Sequence, residues 1–361
     1  MSAMAGDWRY AIGSNLVFSP VLVSALLLVG LVLLMLAFSL LVDVRRHRQE
    51  LRAATLRRVW IPFLFAAVTE PKAPPEEELP RLLKRDIYSF VLLWNSVYST
   101  VRGGSLNYQR GLARHLTLFP KLNHWLGRGR IDHRLAAIVC FGNLREYAAW
   151  DELVAHLDAR NTVESLTSAR ALIKIDAKIA LPLVWQRLQR KDWSASRLTA
   201  MLSEVPADIL HQSLHDYVEH LPAPALRTLM RVANEMLPGQ LNDVMAKALQ
   251  RYPDDDALKA LICNGADSPI WLTLVRSSLD SPHKALRVAA VKALGRIGQE
   301  QDRPALVHAL IDPFWWVRYR SAQSLTRLPG VTTAQLHVLA NKHPSADARA
   351  ILSHVIAENA L

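Results

Sequence analysis

Toward its C-terminal end the chain carries one pattern twice. LDSPHKALRVAAVKALGRIG (279–298) and LIDPFWWVRYRSAQSLTRLPG (310–330) align with Asp280 and Asp312 separated by 32 residues, Arg287 and Arg318 by 31, and Leu294 and Leu325 by 31. A period of this length marks stacked supersecondary units, and it constrains the fold more than any local propensity does. Fainter copies lie upstream. HRLAAIVCFGNL (133–144) sets Gly142 where Gly295 stands, and LDARNTVESLTSARALIKI (157–175) sets Leu157–Asp158 and Ala171–Leu172 where Leu279–Asp280 and Ala293–Leu294 stand. Others centre on SASRLTAML (194–202), ALRTLMRVA (225–233), DALKALICNGA (256–266) and ADARAILSHV (346–355).

Each unit reads as two short amphipathic helices joined by a turn. One unit alone cannot bury its apolar face, so neighbours stack into a continuous core. Alanine at the central positions lets helices approach closely. The recurrent turn Asp is placed to accept backbone N–H groups at the next helix start, and the Arg six or seven residues later to reach the Asp of an adjacent turn. Leu, Ala and Arg dominate, there are only 14 glycines, and no stretch alternates with period two between turn residues. The expected class is all-α with little or no sheet.

The segment LIDPFWWVRYRSAQSL (310–325) resembles the short HEAT-like repeat known as the phycobilisome-lyase type. The resemblance implies an α-solenoid of HEAT-like helical pairs over residues 121–361. It implies an architecture and no activity, because function resides in sites placed on a fold. The lyase activity in that name is not carried over, and no tetrapyrrole substrate is expected.

At the other end, Leu16 to Val42 contains no charged residue over 27 positions. That exceeds the roughly 20 residues needed to cross about 30 Å of hydrocarbon. Trp8 and Tyr10 sit where an interfacial aromatic belt belongs. Directly after the run come Arg45, Arg46, Arg48, Arg52, Arg57 and Arg58 against one acid, Glu50, which accounts for five of the eleven net positive charges. Basic residues on this flank predict an uncleaved span with its C-terminal side in the cytoplasm, since a signal peptide needs the charge on the opposite side of a shorter core and a small-residue cleavage site. VWIPFLFAAV (59–68) is too short to cross a bilayer and reads as an interfacial segment or the first buried turn of the following domain. TEPKAPPEEELP (69–80) reads as a linker whose Glu76–Glu78 favour the start of the next helix.

The expected organisation is therefore a short extracytoplasmic tail (1–15), a transmembrane helix (16–42), a basic juxtamembrane segment and Pro/Glu linker (43–80), N-terminal capping helices (81–120) and the repeat solenoid (121–361). This layout, with LLWNSVYSTVRGG (92–104), is similar to bacterial inner-membrane HEAT-repeat proteins found with membrane glycosyltransferases for surface polysaccharide.

Chemistry-bearing motifs are few. His211, His215 and His220 form the best metal-like cluster, with the first pair on one helix face, but the glutamate of HExxH is missing and surface histidines are the simpler reading. RGGS (102–105) lacks the strand-then-helix setting of a phosphate cradle and reads as a helix stop. Asp254–Asp256 follow Pro253 and read as a turn and helix cap. Cys140 and Cys263 lie in apolar helical patterns, as buried thiols of a reducing compartment do. No catalytic residue, metal site or cofactor is expected, and the chain is read as a non-enzyme.

Two places are candidates for partner contact. Trp94 and Asn95 lie in a helix whose apolar residues follow 3/4 spacing, which fits either packing on the first repeat or docking a membrane partner. Phe314, Trp315 and Trp316 cannot all face inward from one turn, so at least one, Trp316 first, should be exposed as an interface anchor. The expectation is a membrane-tethered scaffold for a protein partner, a membrane or envelope-assembly component such as a glycosyltransferase. The alternatives are a bilin-lyase-like enzyme and a nucleic-acid-binding solenoid. Nucleic acid is not the expected partner, because five of the eleven excess charges sit beside the span and the rest are spread over about 300 residues.

Overall fold

The computed structural model describes residues 20–100, 104–188 and 193–359; Trp8, Tyr10, the tail 1–15, the first residues of the apolar run and Arg102–Gly103 of RGGS lie outside them. The described residues contain helices and no strand. They divide into two compact units, Met1–Leu116 and Thr117–Leu361.

In the first unit, α1 (Pro20–Phe65) is followed by α2 (Ile87–Thr100) and α3 (Leu106–His115). The α1 helix does not end with the apolar run. RRHRQELRAATLRRVW is rich in Arg, Leu, Ala, Gln and Glu, all good helix formers, so nothing local stops it before Pro62. At 1.5 Å per residue its 46 residues make a rod of about 70 Å. The window Leu27–Val44 has mean hydropathy 2.7 and none of it is buried, so by length and composition it can cross a membrane, as a signal sequence also can.

The far end of α1 is core. Trp60 and Leu64 are buried, and so is Ala67 in the short turn Ala66–Val68. A helix end leaves its last carbonyls without partners. Here the Tyr98 hydroxyl donates to the Leu64 carbonyl at 3.0 Å and the Tyr108 hydroxyl to the Phe63 carbonyl at 2.8 Å. Residues 59–68 thus include the first buried turn of the folded unit. Glu76–Glu78 form an isolated, exposed 3-10 turn, whereas the next α-helix starts only at Ile87.

The second unit contains α4 (Leu118–Arg128), α5 (Ile131–Leu144), α6 (Trp150–Leu157), α7 (Thr162–Ile175), α8 (Ala177–Leu188), α9 (Ala195–Leu202), α10 (Ala207–Tyr217) and α11 (Ala223–Met236). It continues with α12 (Asn242–Arg251), α13 (Asp256–Gly265), α14 (Leu272–Ser277), α15 (Lys284–Ile297), α16 (Arg303–Ala309), α17 (Trp315–Leu325), α18 (Thr333–Lys342) and α19 (Ala346–Asn359). The second helices of the pairs form the spine: α5 packs on α7, and α9, α11, α13, α15 and α17 each pack on the next, ending at α19. This is the solenoid that the repeats imply.

Close approach along the spine depends on small residues. A Cβ built on Gly142 would lie 2.8 Å from the Ala171 Cα, and one on Gly295 would lie 2.6 Å from Ser324 Oγ. Buried serines add a second device: Ser168 and Ser321 donate to the carbonyls of Leu153 and Leu306 on their partner helices, at 2.6 and 2.5 Å. Replacing Gly142 by Val is expected to destabilise the second unit by about 1–3 kcal/mol in urea melts, because the collision is with backbone. Gly127, with nothing within 4 Å of a Cβ, serves as control. Ala there should be neutral or stabilising by up to about 1 kcal/mol.

Candidate interaction surface

The turn before α17 is held from several directions. Asp312 Oδ1 accepts the Phe314 N–H at 2.7 Å, and both Asp312 oxygens receive the Arg287 guanidinium, Nε at 2.7 Å and Nη2 at 3.0 Å. Arg287 Nη1 also donates to the carbonyls of Ser281 and Pro282, at 2.9 and 3.2 Å. Arg318 repeats this on Asp312 and Pro313, at 2.8 and 3.3 Å, and Arg349 on His343 and Pro344, at 2.7 and 3.0 Å. The anticipated Arg-to-Asp ladder is therefore present at Arg287–Asp312. At Arg318 it loosens to 3.8 Å from Asp347, whose side chain is 73% exposed.

The structural register corrects one alignment. Ser281, Asp312 and His343 occupy one position, and each accepts the N–H of the residue two further on, at 3.1, 2.7 and 3.1 Å. Asp280, which the sequence alignment sets against Asp312, stands one residue early and makes no such bond with the described residues. The 31-residue spacing of Pro282, Pro313 and Pro344 carries this register, and with it Arg349.

Above this turn the aromatic residues separate. Phe314 is half-buried, with the Lys284 ammonium 4.9 Å from its ring centroid. Trp315 and Trp316 remain 43% and 47% exposed. They form a cluster with Tyr319, which Trp315 stacks on at 5.0 Å and 9° and Trp316 meets edge-on at 6.0 Å. The Arg320 guanidinium lies 5.8 Å from the Trp316 ring and 5.7 Å from that of Tyr319. The Tyr319 hydroxyl donates to Glu358 at 2.9 Å, which raises its pKa above the ordinary tyrosine value, and accepts from Gln323 at 3.0 Å. Sequence reading missed Tyr319 and Arg320, although i, i+3 and i, i+4 spacing from Trp316 makes them its neighbours on a helix.

Trp94 and Asn95 lie in the core of the first unit, 0% and 9% exposed, so neither offers a docking surface. Trp94 meets Phe90 and Tyr98 edge-on at 5.8 and 4.9 Å, and Phe90 meets Trp60 at 4.8 Å. Of the juxtamembrane arginines, Arg52, Arg57 and Arg58 are exposed on α1, and Arg45, Arg46 and Arg48 lie in the same helix.

The remaining motifs have local roles. His211 Nε2 donates to Asp243 at 3.0 Å, His215 Nε2 lies 3.8 Å from the same carboxylate, and the His220 ring rests against Tyr217. No group of three His, Cys, Asp or Glu among the described residues is arranged to hold a metal ion. Asp255 caps α13 by accepting the Leu258 N–H at 3.0 Å and pairs with Arg227 at 2.7 Å. Both cysteines are buried and unbridged; burial pushes the Cys140 thiol far up and that of Cys263 up to about 11, so both stay protonated and inert.

The family model described as HEAT repeats matches residues 240–326 and 272–356, the stretch that carries this surface. No curated protein matches the chain. HEAT repeats stack into extended surfaces that bind other proteins, and over these residues the chain is similar to such a scaffold.

Proposed function

We propose that this chain is a membrane-anchored adaptor that binds a protein partner through its repeat unit and catalyses no reaction of its own. The observation that carries the reading is the exposed Trp315–Trp316 pair on a turn held rigid by Arg287 and Asp312. Exposed tryptophan on a fixed backbone is the usual anchor of an interface, since it buries a large area at little entropic cost. The apolar window of α1 supports anchoring, and the arginines after it support a cytoplasmic repeat unit at the bacterial inner membrane. Tethering would raise the effective concentration of the scaffold for partners at that surface. Envelope polysaccharide machinery, with a membrane glycosyltransferase as the specific candidate, is the partner class this layout suggests.

A photo-crosslinking residue at Trp316, compared with one at the buried Trp94, tests the partner. A membrane or envelope protein should be captured from Trp316 and not from Trp94. Trp316→Ala should weaken that complex by about 2 kcal/mol, roughly 30-fold in affinity. Capture of no protein from Trp316 would count against the scaffold. Release of the full-length chain by carbonate washing, or a periplasmic reporter fused after Leu361, would count against the anchor.

A further inference from the structure

We propose that the stripe running from the tryptophans along α17 is the docking site for an acidic segment of the partner, with its carboxylates against Lys292, Arg320 and Arg327 and an apolar residue beside Trp316. This rests on the scaffold reading and narrows it to one partner chemistry.

Trp316, Arg320, Gln323 and Arg327 recur at three- and four-residue spacing and so share one face of the helix and its C-terminal turn. Lys292 joins them from the adjacent α15, one residue after Val291, whose carbonyl accepts the Ser324 hydroxyl of α17 at 2.7 Å. Its ammonium is depressed below the ordinary lysine range, first by partial burial and then by the charges of Arg296, Arg320 and Arg327. Arg296 is already committed, donating to the carbonyls of Cys263, Asn264 and Ala266 at 2.7, 3.0 and 3.1 Å at the end of α13. Lys292, Arg320 and Arg327 have no ion-pair partner among the described residues.

The cations that hold neighbouring helices together are matched: Arg134 with Glu164, Arg227 with Asp255, Arg276 with Asp302, and Arg287 with Asp312. Arg320 donates to Gln323 Oε1 at 2.7 Å and lies over two rings, but three cations without a carboxylate partner on one face still repel each other. An anion supplied from outside removes that repulsion. Glu358, bonded to Tyr319 and 3.1 Å from His354, bounds the patch on the α19 side, so it is a short strip. Trp316 to Arg327 spans about 16 Å of helix rise, the length of roughly five extended residues.

The aromatic geometry favours a peptide over nucleic acid. Trp315 stacks on Tyr319 and Arg320 lies over Trp316, so one face of each ring is already taken and the exposed remainder suits a single apolar side chain better than a run of stacked bases. Single-stranded nucleic acid needs open ring faces and a longer basic track.

The test uses the full chain in nanodiscs of phosphatidylcholine, panned with a random dodecapeptide library. Peptides with Asp or Glu around one apolar residue should be enriched. The best of them, fluorescein-labelled, should lose at least tenfold in affinity with Lys292→Glu/Arg320→Glu/Arg327→Glu, and severalfold with the milder triple Gln variant. Circular dichroism checks that both variants keep their helices. Enrichment of neutral or basic peptides, or acidic peptides indifferent to both variants, overturns the proposal. So does tighter binding of poly(U) or of phosphatidylglycerol vesicles that the same substitutions abolish. These outcomes leave the scaffold reading intact, because that stands or falls on the Trp316 crosslink.

Discussion

Arg287→Ala is expected to cost the second unit about 3–5 kcal/mol, the range for removing one partner of a buried ion pair. The side chains of Arg287 and Asp312 are only 14% and 11% exposed. Truncation leaves a nearly buried carboxylate without its counter-charge and strips the donor from the Ser281 and Pro282 carbonyls in the same step. Lysine should rescue little, since a single ammonium cannot reproduce a bidentate fork together with two carbonyl bonds. Urea melts followed by tryptophan fluorescence are well placed to read this, with Trp315 and Trp316 at the turn that Asp312 caps. Arg318→Ala is the comparison and should cost about 1–2 kcal/mol, because its acid partner is distant and exposed, so that the main loss is the pair of bonds to the Asp312 and Pro313 carbonyls. In a cycle with Asp312→Ala, the double variant should be less destabilised than the sum of the singles. A loss under 1 kcal/mol for Arg287→Ala would mean the pair does not hold these repeats together.

Trp94→Ala should destabilise the first unit by about 3–5 kcal/mol. The side chain is fully buried, and its loss opens a cavity between Phe90 and Tyr98, next to the tyrosine that caps the end of α1. Its indole N–H has no acceptor among the described residues. Trp94→Phe, which keeps most of the volume and deletes that unpaired donor, should therefore cost less than half as much. Hydrogen exchange over residues 87–100 gives the readout, since faster exchange there reports loosening of α2. If Phe and Ala prove equally damaging, the indole N–H has a partner and ring volume is not the main term.

How much of this was legible beforehand follows from the range of each interaction. The repeat, the all-α class and the apolar run are local periodicities, and a single sequence displays them. The matching of Gly142 to Gly295 was also legible, because both face the next helix of the spine at the same step. Trp94 was ambiguous by nature: 3/4 spacing marks an apolar face and does not say what covers it. The Asp280 alignment slipped by one residue because acidic identity was matched, whereas the position requires only an acceptor, which serine, aspartate and histidine all supply.

By itself the sequence determined the helical pairs, their period and the arginine that recurs after the turn, since these rest on backbone hydrogen bonds and burial within some thirty residues. Only the tertiary structure decided that Arg287 finds a carboxylate while Arg318 rests on carbonyls, that Trp94 is core, and that Lys292, Arg320 and Arg327 share a face without an ion-pair partner among the described residues. Those outcomes depend on the spacing between neighbouring repeats, to which pairing across a stack is sensitive at the level of an ångström and which periodicity does not encode.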